Sequence, residues 1–130
     1  MSVACARLSP MSDHLSPPPP RAADAGLWES IEGLHGWLDT HRPVDGPDQL
    51  LLRILKLSEE VGEVAQAVIG ATGQNPRKGT THTWDDVRSE LCDVAVTALM
   101  ALRTLTPDAR EVFIRHLDGV TRRSLGDRND

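Results

Sequence analysis

The stretch PDQLLLRILKLSEEVGEVAQAVI, from Pro47 to Ile69, shows the helical pattern that decides the fold. Its apolar residues recur every three or four positions, which predicts one inward-facing stripe. The stripe consists of Leu50, Ile54, Leu57, Val61, Val64 and Val68. Pro47 suits the first turn of a helix, and Gly70 or Gly73 suits its end. The segment therefore predicts a long amphipathic helix with acidic residues beside its apolar stripe.

Three further segments repeat this periodicity, and no segment alternates as a strand does. We predict a first helix over residues 24–40, a third from a cap at Thr83 to Leu105, and a fourth that starts at Thr106-Pro107 and ends near Gly126. Their predicted inward residues are Leu27, Ile31, Leu34 and Leu38 in the first, Val87, Leu91, Val94, Ala98 and Leu102 in the third, and Val112, Phe113, Leu117 and Val120 in the fourth. The predicted fold class is all-α, with four helices.

The two ends of the chain differ in composition from the helical part. Residues 1–23 include four successive prolines, Pro17 to Pro20, which do not fit a helix interior or an inner strand. We predict a disordered Pro-rich tail over residues 1–23, one helical domain over 24–125 and a flexible C-terminus over 126–130. Because 39% of the residues are hydrophobic and few are aromatic, the core is expected to be mainly aliphatic, which suits packed helices.

The overall charge limits the classes of partner. The formal net charge is −5 and the chain has no basic tract, so we predict no binding to duplex nucleic acid. No apolar run is long enough to span a membrane, so no membrane partner is expected. Cys5 and Cys92 lie in different kinds of segment and predict no disulfide framework. We therefore expect a cytoplasmic protein. Although it is acidic, it can bind a negatively charged nucleotide if a cation bridges the two.

Acidic residues flank the apolar stripes of the second and third helices in the same way. Glu60 and Glu63 are three residues apart on one helix, and Glu90 and Asp93 are three residues apart on the other. If the two stripes pack together, these carboxylates converge and repel one another unless protons, basic partners or a metal ion compensate. A hard divalent cation is the most economical compensation. A single E-x-x-E pair is also typical of a solvated helix face, and that alternative stays open.

The carboxylates belong to a longer pattern. Glu59-Glu60-Val61-Gly62-Glu63 is followed, after a spacer of 26 residues, by Glu90-Leu91-Cys92-Asp93. This E-E-x-x-E and E-x-x-D pattern, within residues 50–105, resembles that of the MazG-like all-α nucleoside triphosphate pyrophosphohydrolases. Lys56, Leu57 and Gly62 add to the resemblance. It implies a four-helix MazG-like fold whose active core is completed by oligomerisation, as a homodimer or homotetramer.

The resemblance also implies a reaction. Glu60, Glu63, Glu90 and Asp93 would bind Mg²⁺, for which Mn²⁺ could substitute, and Glu59, Glu60 and Glu63 would form the catalytic set. The substrate would be a nucleoside triphosphate, cleaved between its α and β phosphates to a monophosphate and pyrophosphate in nucleotide-pool house-cleaning. Such a reaction requires charge neutralisation and an oriented water more than a strong nucleophile.

Seven residues are candidates for substrate contacts. They are Lys56, Arg77, Lys78, Trp37, His41, Arg122 and Arg123. Trp37 could instead belong to the core or an interface, His41 to a helix end, and Arg77 with Lys78 to a solvated loop. Arg122 and Arg123 could instead complement the C-terminal end of a helix. The alternative hypothesis for the whole chain is a non-catalytic helical module that oligomerises and binds nucleotide or has a regulatory role.

Overall fold

The computed structural model of the chain describes residues 20–41 and 46–126. Within these residues the chain forms four helices and no strand, so the predicted all-α class is confirmed. The helices are α1 (Pro20–His41), α2 (Pro47–Thr72), α3 (Trp84–Leu105) and α4 (Ala109–Leu125). Most of the predicted disordered tail, residues 1–19, and the last four residues of the predicted flexible C-terminus lie outside the described residues.

The helix boundaries follow local backbone chemistry. α1 begins at Pro20, four residues before the predicted start. A proline fits the first turn of a helix, because the amides of that turn have no hydrogen-bond partner within the helix. α2 ends at Gly73, which adopts the left-handed conformation at φ 62°. The predicted cap at Thr83 is confirmed: the Asp86 amide donates to the Thr83 hydroxyl (3.2 Å), and the Thr83 amide donates to the Asp86 carboxylate (2.7 Å).

The predicted start of α4 at Thr106-Pro107 is wrong. The amide of Thr106 donates to the Leu102 carbonyl at 3.0 Å, so Thr106 closes α3 instead of opening α4. The Thr106 hydroxyl accepts a bond of 3.2 Å from the Asp108 amide, and the helix starts one residue later at Ala109. A threonine before a proline therefore serves here as the end of one helix and the turn that follows it.

α2 and α3 form an antiparallel pair. Arg53, near the start of α2, donates to the hydroxyl of Thr104 near the end of α3, at 3.0 Å. At the other end of the pair, the Thr81 amide donates to the Gly70 carbonyl at 3.0 Å, so the connecting loop folds back onto α2. This approach depends on a residue without a Cβ, because a Cβ on Gly70 would lie 2.1 Å from Nδ1 of His82.

A small apolar cluster joins α1 to α3 and α4. It consists of Trp28, Ile31, Met100 and Ala109, with Leu38, Leu99 and Leu102 packed against it. The indole of Trp28 also lies 6.1 Å from the Phe113 ring, between their centroids. α1 is held on its polar side as well, because Arg103 donates to Glu32 and Arg53 donates to Asp39 at 2.9 Å. These contacts place α1 across the end of the α2–α3 pair.

The predicted inward stripe of α2 is partly wrong. Ile54 and Val61 are 40% and 52% exposed, and the buried residues of this helix are Glu60, Ala67 and Gly70. The remaining stripe positions, Leu50, Leu57, Val64 and Val68, are half-buried. Periodicity identifies which residues share a helix face, but it does not identify which part of that face the neighbouring elements cover. Ala67 and Gly70 are the small residues of the buried face, and Gly70 lies close to Thr81 and His82 of the connecting loop.

Other predicted inward positions are also partly exposed. Within the described residues, several apolar side chains of α1, α3 and α4 remain more than a third exposed. They are Leu27, Leu34, Leu91, Phe113, Leu117 and Val120, with exposed fractions from 37% to 53%. Within residues 20–41 and 46–126, no helix combines the length and the apolarity that crossing a membrane requires.

Candidate functional site

Three carboxylates from α2 and α3 meet where the two helices cross. Oxygen atoms of Glu60, Glu90 and Asp93 all lie within 4.8 Å of one another. Glu60 is buried, at 7% exposure, while Glu90 is half-buried and Asp93 is exposed. Glu90 and Asp93 point the same way because residues three apart share a helix face. The sequence prediction that these two helices bring their acidic residues together therefore agrees with the geometry.

The donor set of this cluster suits a hard divalent cation. All three groups offer carboxylate oxygens, and Mg²⁺ takes oxygen ligands in preference to nitrogen or sulfur. The cluster is open to solvent on the side of Asp93, which leaves room for water molecules and a ligand. The three carboxylates therefore form a candidate site for a divalent cation.

Lys56 compensates the buried carboxylate. Its ammonium lies 2.9 Å from Oε1 of Glu60 and 3.0 Å from Oε2 of Glu59. A buried charge is strongly unfavourable without such a partner, and Lys56 stands one helical turn before Glu60, at the spacing that favours this contact. Hydrogen bonds to Glu60 and Glu59 raise the pKa of Lys56 above its usual range. Lys56 thus acts as a counter-ion of the cluster.

Glu63 stands beside the three-carboxylate cluster and is not one of its members. Partial burial raises the pKa of Glu63, and the negative charges of Glu60, Glu90 and Glu59 raise it further. The fourth predicted ligand therefore lies at the edge of the cluster. A carboxylate with a raised pKa is better suited to accept a proton from water than an ordinary surface glutamate.

An apolar groove adjoins the cluster between α1, α2 and α3. Its volume is about 500 Å³, and the buried residue Met100 forms part of its lining. The indole of Trp37 stacks on the imidazole of His41, with ring centroids 4.5 Å apart and planes 19° apart. Lys56 lines the groove and also contacts the carboxylates, so the two features share a border. Three of the predicted substrate residues, Trp37, His41 and Lys56, are therefore brought together.

The other four predicted substrate residues lie elsewhere. Arg77 and Lys78 are exposed in the loop after α2, where the Arg77 amide donates to the Asn75 side chain at 3.0 Å. Arg122 and Arg123 are exposed in the last turn of α4. In the described part of the chain, none of the four forms an ion pair with the carboxylate cluster. Their predicted role in phosphate binding stays a prediction.

Sequence reasoning missed several residues that form the groove. They are Leu34, Leu38, Gln49, Leu52, Arg53, Val96, Thr97 and Met100. Leu52 and Arg53 stand four and three residues before Lys56, so they share its helix face, and that spacing was the available signal. Val96 and Thr97 follow Asp93 by about one turn in the same way. Counting one helical turn from Lys56 on α2 and from Asp93 on α3 would have identified groove residues on both helices.

Comparisons with protein-family models, with curated proteins and with solved structures found no match for this chain. The resemblance to the MazG-like enzymes therefore rests on the motif residues alone.

Proposed function

We propose that the chain is a Mg²⁺-dependent nucleoside triphosphate pyrophosphohydrolase of the MazG-like type. The observation that carries the proposal is the meeting of Glu60, Glu90 and Asp93 within 4.8 Å, at the border of a groove that contains a stacked Trp37–His41 pair. A carboxylate cluster beside an apolar groove offers one place for a metal-bound triphosphate and another for a nucleobase.

In this proposal the carboxylates have separate tasks. Glu60, Glu90 and Asp93 hold the cation, and Glu63 completes its ligand set or lies against it. Bound Mg²⁺, or Mn²⁺ in its place, supplies positive charge that neutralises the triphosphate. Glu63 and Glu59 orient a water molecule toward the α-phosphorus and accept its proton. The bond between the α-phosphorus and the bridging oxygen breaks, which releases pyrophosphate and leaves a nucleoside monophosphate.

The groove would hold the nucleoside. Trp37 is 56% exposed, so one face of its indole is available to stack on a nucleobase. The imidazole of His41 stacks on the indole as well. Leu52 and Met100 supply apolar contact, and Lys56 lies between the groove and the carboxylates. We also propose that Arg77 and Lys78, in the loop after α2, bind phosphate. Replacing both by Ala should then raise KM for an accepted nucleotide, and unchanged kinetics would remove them from the site.

The exposed face of α2 supports assembly into a homodimer or homotetramer. Besides Leu52, which lines the groove, five large apolar residues on this helix are between 40% and 61% exposed, and small uncharged residues lie among them. The large residues are Leu51, Ile54, Leu55, Val61 and Ile69. A continuous apolar surface of this kind usually marks an interaction site. Sedimentation at micromolar concentration tests the proposal, because a stable monomer would contradict it.

A product assay tests the reaction. A panel of ribo- and deoxyribonucleoside triphosphates should be incubated with the protein and Mg²⁺, and the products separated by ion-exchange chromatography. We expect a monophosphate and pyrophosphate from at least one substrate, and loss of this activity in Glu63→Gln with the helical content unchanged. Release of a diphosphate and orthophosphate would contradict the mechanism. Binding without turnover across the panel would favour the alternative, a non-catalytic nucleotide-binding module.

A further inference from the structure

Lys56 both lines the groove and contacts the carboxylate cluster. Its ammonium contacts Glu60 and Glu59, while its side chain lines the groove together with Leu52 and Trp37. The Lys56 side chain is 48% exposed, in contrast to that of Glu60, which is 9% exposed. The lysine can therefore move without unpacking the core, whereas the carboxylate is fixed.

A divalent cation on Glu60 would compete directly with this ammonium. Both positive groups would require the oxygens of one buried carboxylate, and at such short range they repel each other strongly. Glu60 has the least access to water of the three carboxylates, so it has little room to accept both the cation and the ammonium. The mobile partner, Lys56, is the one that can leave. Its four-carbon stem then allows the ammonium to turn away from Glu60, toward the border of the groove.

We infer that Lys56 is an exchangeable counter-ion that neutralises Glu60 in the metal-free protein, is released when the metal binds, and then holds a phosphate group of the ligand at the border between the cluster and the groove. The inference rests on the proposed function, because it takes the cluster as the metal site. It adds that metal binding and phosphate binding are positively coupled through one side chain, which acts as a positioning residue and does not touch the reacting bond.

Amine labelling of the wild-type protein tests the exchange. The chain contains two lysines, Lys56 and Lys78, so the exposed loop residue Lys78 serves as an internal reference. Labelling by an amine-reactive ester, followed by peptide mass spectrometry, gives the rate ratio of the two. Saturating Mg²⁺ should raise the Lys56 rate relative to Lys78 by about threefold or more, because an ammonium in an ion pair is protected from reaction. Inorganic tripolyphosphate, added with excess Mg²⁺, should lower it again.

Metal binding provides a second readout. Mn²⁺ affinity, measured by electron paramagnetic resonance without nucleotide, should increase by about fivefold or more in Lys56→Met, at the lower end of typical couplings between two sites. Arg88→Met is the matched control: it also removes one positive charge from a helix of the pair, but Arg88 contacts Asp85, outside the cluster. Its Mn²⁺ affinity should change much less than that of Lys56→Met.

The outcomes separate the inference from the proposed function. If Mn²⁺ binds to wild type and not to Glu60→Gln, the metal site stands. With the site standing, a Lys56 labelling rate that Mg²⁺ leaves unchanged would overturn the exchange, and so would a Lys56→Met affinity equal to that of wild type. If the wild type binds no Mn²⁺, or if Glu60→Gln binds it equally well, both the metal site and the exchange are wrong. The labelling experiment needs no substitution at Lys56 and does not depend on that variant folding.

Discussion

Replacing Asp93 with asparagine should stabilise the metal-free protein. Asp93 is the exposed member of a cluster whose carboxylate oxygens lie within 4.8 Å of one another. Two unit charges at 4.8 Å repel by about 3 kcal/mol when the effective dielectric constant is ~20. Solvent and salt reduce this value for an exposed group, so we expect a gain of about 0.5–1 kcal/mol in the free energy of unfolding. For a domain of this size, such a gain raises Tm by about 2–5 °C.

Mg²⁺ should reverse the order of the Tm values of wild type and Asp93→Asn. A ligand present at about 100 times its Kd stabilises the folded state by ~2.7 kcal/mol, and wild type should receive this gain in full. Asp93→Asn lacks one carboxylate ligand and should receive much less. Wild type should therefore have the lower Tm without metal and the higher Tm at saturating Mg²⁺. The same substitution would abolish Mg²⁺-dependent turnover while the helical content remains.

The assay is thermal unfolding followed by far-ultraviolet circular dichroism, at equal chain concentrations with EDTA or with Mg²⁺. Asp118→Asn is the matched control, because Asp118 is an exposed aspartate on α4, outside the cluster. Its Tm should follow that of wild type under both conditions. If Asp93→Asn melts below wild type in EDTA, the repulsion argument is wrong. If Mg²⁺ stabilises Asp93→Asn as much as wild type, Asp93 is not a ligand.

Two further predictions concern the scaffold. Gly70→Ala should lower the free energy of unfolding by about 1–3 kcal/mol, because the new Cβ would lie 2.1 Å from His82; Gly33→Ala, with nothing within 4 Å of its Cβ, should not be destabilising, and equal Tm values for the two variants would remove the packing argument. The hydrogen bond from Arg103 lowers the pKa of Glu32 below its usual 4.5, so its stabilisation is present above that pH and is lost as pH falls through the lowered pKa. Because Glu32 is exposed, Arg103→Gln should cost about 0.5 kcal/mol at neutral pH in denaturant titrations and less below pH ~4; a cost that does not decrease in acid would contradict the assignment.

The amino-acid sequence by itself determined the number of helices, the position of the acidic motif and several helix ends. These features depend on interactions between residues close in sequence. Apolar spacing identifies helices, Thr83 binds the backbone three residues ahead, and Gly73 adopts a conformation that other residues avoid. The spacing of Glu90 and Asp93 also fixes their common direction on one helix.

Only the tertiary structure decided which face of α2 is buried and which residues complete the site. Ile54 and Val61 belong to the apolar periodicity, yet they are exposed, whereas the buried residues of α2 are Glu60, Ala67 and Gly70. The fold buries Glu60 and brings its carboxylate close to those of Glu90 and Asp93 on α3, and Lys56 supplies the compensating charge. Periodicity could not determine this outcome, because helix spacing describes one helix at a time, whereas burial depends on how closely two backbones can approach.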